Sequence, residues 1–121
     1  MADTRLLVTD YAGVTVVTFQ DNSILDARQI DQIGRELYEL ADKKDKRKFI
    51  LDFSNVRFLG SQTLGVLINL HKKAAAGKGE VVLCCLRKDL LKVFKITSLD
   101  KVFKFFNDDA SALKHFGVHV S

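Results

Sequence analysis

Short apolar runs and longer stretches of helical period trade places along this chain, and the exchange repeats to its end. FILDF at 49–53 is bounded by polar segments, as expected of a central strand covered on both faces. LLVTD at 6–10 and VTVVTF at 14–19 are rich in apolar and β-branched residues and are separated by YAG, which predicts a hairpin. A first helix is expected after Asp26, a good N-cap with Gln29 as its capping-box partner, because Ile30, Ile33, Leu37, Leu40 and Ala41 recur at helical spacing. Gly34 weakens that helix by about 1 kcal/mol relative to alanine, so a close packing neighbour is expected there. A second helix is expected after Ser61, with Leu64, Leu67, Ile68, His71, Ala74 and Ala75 on one stripe and Gly77 ending it in the left-handed conformation. EVVLCCL at 80–86, KDLLKVFKI at 88–96, KVFKFF at 101–106 and ASALKHF at 110–116 read as strand, helix, strand and helix. The order is ββαβαβαβα. Strands separated by helices pair in parallel through right-handed crossovers, and the hairpin adds a strand at or near one edge, giving an α/β fold with a mixed sheet covered by helices.

No Gly/Ser linker, repeat or low-complexity segment divides the chain, so residues 1–121 are read as a single domain, long enough to bury a core without disulfides or a metal. No apolar run is long enough for a membrane span, and MADTRLLVTDYAG lacks the pattern of an export leader, which predicts a cytoplasmic protein. Cys84 and Cys85 are adjacent in a predicted strand, where successive side chains point to opposite faces, so they are expected to be buried hydrophobes and not a disulfide. His71, His115 and His119 show no ligand spacing, and neither HExxH nor CxxC occurs, so no metal is expected.

The common catalytic patterns are missing too. GKG at 77–79 lacks the spacing of a phosphate-binding loop, and GSQTLG matches neither GxGxxG nor GxSxG. Asp26 and Asp52 could do acid/base work only if folding joined them, and each has a structural explanation at a helix start or a strand end. Neither an enzyme nor a cofactor is expected. Charge is lopsided: residues 1–42 carry a net −5 and residues 43–121 a net +9. The densest basic cluster, KKDKRK at 43–48, reads as a solvated loop, since no aromatic residue is interleaved with it to stack bases. Direct nucleic-acid binding is therefore not expected.

Ser61 stands out from this background. If the second helix begins at Gln62, Ser61 is its N-cap, worth about 0.5–2 kcal/mol relative to alanine. A phosphate on the same oxygen would sit at the positive end of the helix dipole, where the fold tolerates it. It would also add about −1.5 to −2 charges to any surface docked there. Capping and modification are compatible.

FILDFSNVRFLGSQTLGVLINLHK, LLKVFKITSLDKVFKFF and VTVVTFQDNSILDARQIDQI together resemble the STAS domains, and within them the bacterial anti-sigma factor antagonists, over nearly the whole chain. Where members commonly have Asp-Ser-Ser/Thr-Gly-Leu-Gly, the chain reads Gly60, Ser61, Gln62, Thr63, Leu64, Gly65, keeping the serine, the leucine and the final glycine. The resemblance implies a protein that sequesters an anti-sigma factor, itself a serine kinase, and so frees a sigma factor. Phosphorylation of Ser61 would end the interaction and a serine phosphatase would restore it, with ATP and Mg²⁺ belonging to the kinase. The implied contact surface is Leu59, Gly60, Ser61, Gln62 and Thr63, joined by Asn22, Ser23 and Asp26. The departures at Gly60 and Thr63 motivate an alternative: a constitutive STAS scaffold in a larger signalling or transport assembly, with no phospho-switch.

Overall fold

The hairpin opens the structure, a computed structural model that describes residues 6–119. Strands β1 (Leu6–Tyr11) and β2 (Val14–Phe19) run antiparallel and are joined by Ala12 and Gly13, at φ 51° and 88°. Two positive φ values make the tight turn whose twist matches that of a hairpin. The short strand β3 (Ser23–Ile24) leads into helix α1 (Ala27–Asp42), then β4 (Lys48–Asp52), the equally short β5 (Phe58–Leu59) and α2 (Ser61–Ala76). Strand β6 (Glu80–Cys84), helix α3 (Lys88–Ile96), a 3₁₀ turn at Leu99–Lys101, β7 (Lys104–Phe106) and α4 (Asp109–His115) complete it. The main sheet has the order β1-β2-β4-β6-β7, antiparallel only at β1, and β3 pairs with β5 in a separate two-stranded sheet. The predicted α/β order and mixed sheet hold, with β3 and β5 added.

Strand alternation decides which residues enter which core. Val17, Phe19, Phe49, Leu51, Val81 and Leu83 face α1, α2 and α3, where Ile33, Leu37, Leu67, Leu70 and Phe94 meet them. Val14, Val16, Ile50, Val82 and Cys84 face the other way and are covered by Ala112 and Leu113 of α4. β4 is thus buried on both faces, as FILDF predicted: Phe49, Ile50 and Leu51 are all fully buried. Each such side chain contributes about 1.5–3 kcal/mol.

Both expectations for α1 hold. Asp26 caps it, with Arg28 N donating to its carboxylate at 2.8 Å and Gln29 completing the box. A methyl group at Gly34 would touch Val66 Cγ2 of α2 at 3.5 Å, which locates the close neighbour. Three details of α2 differ from expectation. The helix begins one residue early, with Gly60 and not Ser61 as its N-cap, because Gly60 keeps the extended backbone (φ −75°, ψ 149°). The buried stripe is Thr63, Leu64, Leu67, Leu70 and Ala74; Ala75 is exposed, since the crossing with α1 and the sheet selects a face rotated toward Leu70. Gly77 ends the helix at φ −92°, and Lys78 is the residue that turns left-handed, at φ 63°.

Two residues of the basic cluster are held in ion pairs. Lys46 bonds Asp10 at 2.5 Å and Arg47 bonds Asp45 at 3.2 Å. Among the described residues no helix is long and apolar enough to cross a membrane.

Candidate functional site

Two segments distant in sequence are pinned together where β4 hands the chain to α2. Ser23 pairs with Phe58 and Ile24 with Leu59. The seam extends in both directions: Arg57 N donates to Asn22 O at 2.8 Å, and Gly60 N donates to Ile24 O at 2.7 Å. Asn55 Nδ2 donates to Phe19 O at 3.2 Å, tying the loop to the end of β2. Gln29 closes the corner, its amide donating to Ser23 O at 2.6 Å while its oxygen accepts Leu25 N at 3.1 Å. The residues expected to form one surface, Asn22, Ser23 and Asp26 with Leu59–Thr63, are therefore brought together.

Close packing at this seam accounts for Gly60. A Cβ there would stand 3.3 Å from Ile24 O, tighter than a side chain normally accepts, and in ordinary contact with Ile30 Cδ1 at 3.6 Å. Ser61 follows as the first helical residue and is exposed, as is Gln62. Its hydroxyl is not spent on a cap, because the capping position belongs to a glycine. The exposed oxygen stands at the helix N-terminus, where backbone N–H groups favour negative charge.

Thr63 has the opposite environment. It is fully buried and its Oγ1 lacks a hydrogen-bond partner. Of the residues expected to contact a partner, Thr63 therefore has no surface to offer. Asn22 and Asp26 are exposed, and Ser23, Leu59 and Gly60 are half-buried. The Asp26 carboxylate is occupied in the cap of α1, and Asp52 accepts Ser54 N at 2.8 Å, so each aspartate has the structural role foreseen for it.

Two exposed apolar residues on the seam were not singled out from sequence. Leu25 is 58% exposed and Phe58 55% exposed, and both lie on the seam, Phe58 beside Ser23 and Leu25 beside Gly60. Both are large apolar side chains left exposed within a few residues of Ser61 or of its neighbour Gly60. Their signal in the sequence was an unpatterned hydrophobe within a polar connection.

The two cysteines also depart from expectation. Both thiols are free, but the sulfurs lie 3.4 Å apart and do not diverge. The strand ends at Cys84, and Cys85 adopts φ 65°, which turns its side chain back toward its neighbour. Burial, followed by the adjoining Cys85 thiol, pushes the Cys84 thiol far above its ordinary range. Cys85 is also raised, chiefly by burial.

The sequence profile of the STAS domain matches residues 6–112. A protein of Bordetella bronchiseptica, BtrV, whose name provisionally describes it as an anti-sigma factor antagonist, is 25% identical over 112 residues, spanning 93% of this chain and 94% of that protein. An anti-sigma-factor antagonist (STAS) domain protein of Planctomyces limnophilus superposes with a TM-score of 0.83 at 24% identity, covering 94% of this chain and 98% of the other. The Bacillus cell fate determinant SpoIIAA, in its phosphorylated form, superposes with a TM-score of 0.71 at 16% identity, covering 92% and 98%.

Proposed function

The chain belongs to the STAS domain family, and from that membership we propose that it is an anti-sigma factor antagonist: a binding protein, not an enzyme, that sequesters an anti-sigma factor and is switched off by phosphorylation of Ser61. The observation that carries this reading is the placement of Ser61. It is an exposed hydroxyl at the first position of α2, free of any capping duty, beside the exposed side chains of Leu25 and Phe58. Such a shelf can dock a partner while the helix start tolerates a phosphate. Thr63, two residues on, is sealed in the core and out of reach of a kinase.

The size of the effect follows from electrostatics. A phosphate brings about −1.5 to −2 charges onto a surface that includes Asp26 and two apolar side chains, where a fitted partner offers no water to solvate it. A loss of about 2.7 kcal/mol weakens binding about a hundredfold. The fold itself pays little, since the phosphate stands at the favourable end of the helix dipole. The expected partners are an anti-sigma factor that is itself a serine kinase, and a serine phosphatase that resets the switch. A similar fold in SpoIIAA has been seen in a phosphorylated form, which supports the compatibility of the architecture with a phosphate.

The test is capture from the protein's own cells with wild-type and Ser61→Asp baits, alongside phosphate mapping of the native protein. The expected result is a kinase of the histidine-kinase-like ATPase fold bound by the wild type and lost from Ser61→Asp, with both baits equally folded. Equal capture by both, and no phosphate on Ser61 in any growth condition, would overturn the switch and favour the constitutive scaffold. The observation on the scaffold's side is Gly60, which removes the carboxylate common beside the serine in this family.

A further inference from the structure

The connection leaving β6 holds a cluster of side chains that the Ser61 shelf does not use. A carboxylate oxygen of Asp52 and the sulfurs of Cys84 and Cys85 all lie within 4.8 Å of one another. The arrangement follows from register. Asp52 ends β4 and Cys84 ends β6, and the two are direct partners across the parallel pair. Side chains of paired strand residues share a face, so the carboxylate and the first thiol emerge together on the side covered by α4. Continued strand geometry would send Cys85 to the opposite face, but its φ of 65° returns it to this one. Cys85 N donates to Phe106 O at 3.1 Å, which anchors the turn to the end of β7.

We propose that Asp52, Cys84 and Cys85 form a binding site for a thiophilic divalent cation of the Zn²⁺ and Cd²⁺ class. A tetrahedral ion with sulfur bonds of about 2.3 Å spaces two thiolates about 3.8 Å apart, a few tenths of an ångström beyond the 3.4 Å between the sulfurs. Binding replaces two S–H bonds with two sulfur–metal bonds and releases two protons to solvent, and the carboxylate supplies a third donor. The backbone amide of Ser54 donates to Asp52 Oδ1 at 2.8 Å, which holds the carboxylate as an outer-shell donor would. Two sulfurs in three donors select against Mg²⁺ and Ca²⁺, which take oxygen ligands. A non-glycine residue held at positive φ is also strained, and here the strain keeps the second sulfur beside the first.

The experiment is a titration of the reduced full chain with Cd²⁺, following the thiolate-to-cadmium charge-transfer absorbance, with Zn²⁺ then added as a competitor. The expected result is saturation at one ion per chain and displacement by Zn²⁺. Cys85→Gly, which suits the positive φ and leaves the buried Cys84 in place, abolishes the saturable signal while circular dichroism stays native. Asp52→Asn keeps both sulfurs and weakens binding by at least about tenfold. Absence of a saturable band in the wild type would overturn the proposal, as would unchanged affinity in Asp52→Asn. Neither readout depends on a protein partner, so failure here leaves the reading of Ser61 untouched.

Discussion

The chain leaves β4 and β6 at neighbouring points of one sheet, linked where Phe53 N donates to Cys84 O at 3.1 Å, and then does opposite things. After β4 it climbs through Phe53 and Val56, both fully buried, to a shelf where Leu25, Phe58 and Ser61 face solvent. After β6 it turns inward within one residue, and the side chains that could carry chemistry converge under α4. The ends of parallel strands are where α/β folds place functional groups, but the connection decides whether those groups are displayed or enclosed. A displayed surface suits a macromolecular partner. A half-buried cluster of sulfur and oxygen, with only Cys84 fully covered, suits an ion.

If the shelf is held up by buried roots, the largest effect comes from cutting one. Phe53 makes a tilted ring contact with Phe19, the centroids 4.8 Å apart, and meets Phe94 edge-on at 6.5 Å. Phe53→Ala is expected to cost about 3–5 kcal/mol, read as a lower urea midpoint with little change in slope. A cost below about 1 kcal/mol would mean the shelf stands independently of the core. On the β6 side the corresponding weak point is backbone strain. Cys85→Val places a β-branched residue at φ 65° and is expected to cost about 1–2 kcal/mol, whereas Cys85→Gly stays within about 0.5 kcal/mol of the wild type. Equal stability of the two variants would show that the turn relaxes freely, and the convergence of the sulfurs would lose its cause. A third contrast lies within the shelf: Asp26→Ala removes the cap of α1 and is expected to cost about 1 kcal/mol by the same measurement.

The two regions also differ in how much of them the sequence disclosed. The shelf was legible in outline because its signals are local: the capping box of Asp26 and Gln29, the apolar period that starts α2, and a serine at the junction. Resemblance led to the expectation that the segments at 22–26 and 59–63 share a surface; β3 and β5 pair those segments, but Thr63 lies buried beneath it. Strands of two residues have no period to detect, and their partner lies more than thirty residues away. The cysteine cluster was illegible for a different reason. Alternation along a strand predicted diverging sulfurs, and nothing at position 85 announces a left-handed residue, for which glycine or asparagine would be the usual sign. The register that sets Asp52 beside Cys84 is likewise a property of the assembled sheet. In α2, Leu70 replaced Ala75 on the buried face because packing against α1 chose between two stripes that the period alone leaves nearly equivalent.

The smallest expected effect separates the two roles considered for Ser61. As an N-cap it would contribute about 0.5–2 kcal/mol, and Ser61→Ala would be plainly destabilising. The structure gives the cap to Gly60, whose extended backbone precedes the helix and whose carbonyl accepts Thr63 N at 3.0 Å. Ser61→Ala then exchanges one exposed first-turn residue for another with better helix propensity, and its cost is expected to stay below about 0.5 kcal/mol. A urea titration of Ser61→Ala beside Asp26→Ala puts both helix starts on one scale. Equal losses would return Ser61 to a capping role and weaken the case that its hydroxyl is kept for the surface. A loss confined to Asp26→Ala would leave Ser61 a residue whose removal the fold hardly registers, so that any effect of changing it on partner capture belongs to the interface and not to stability.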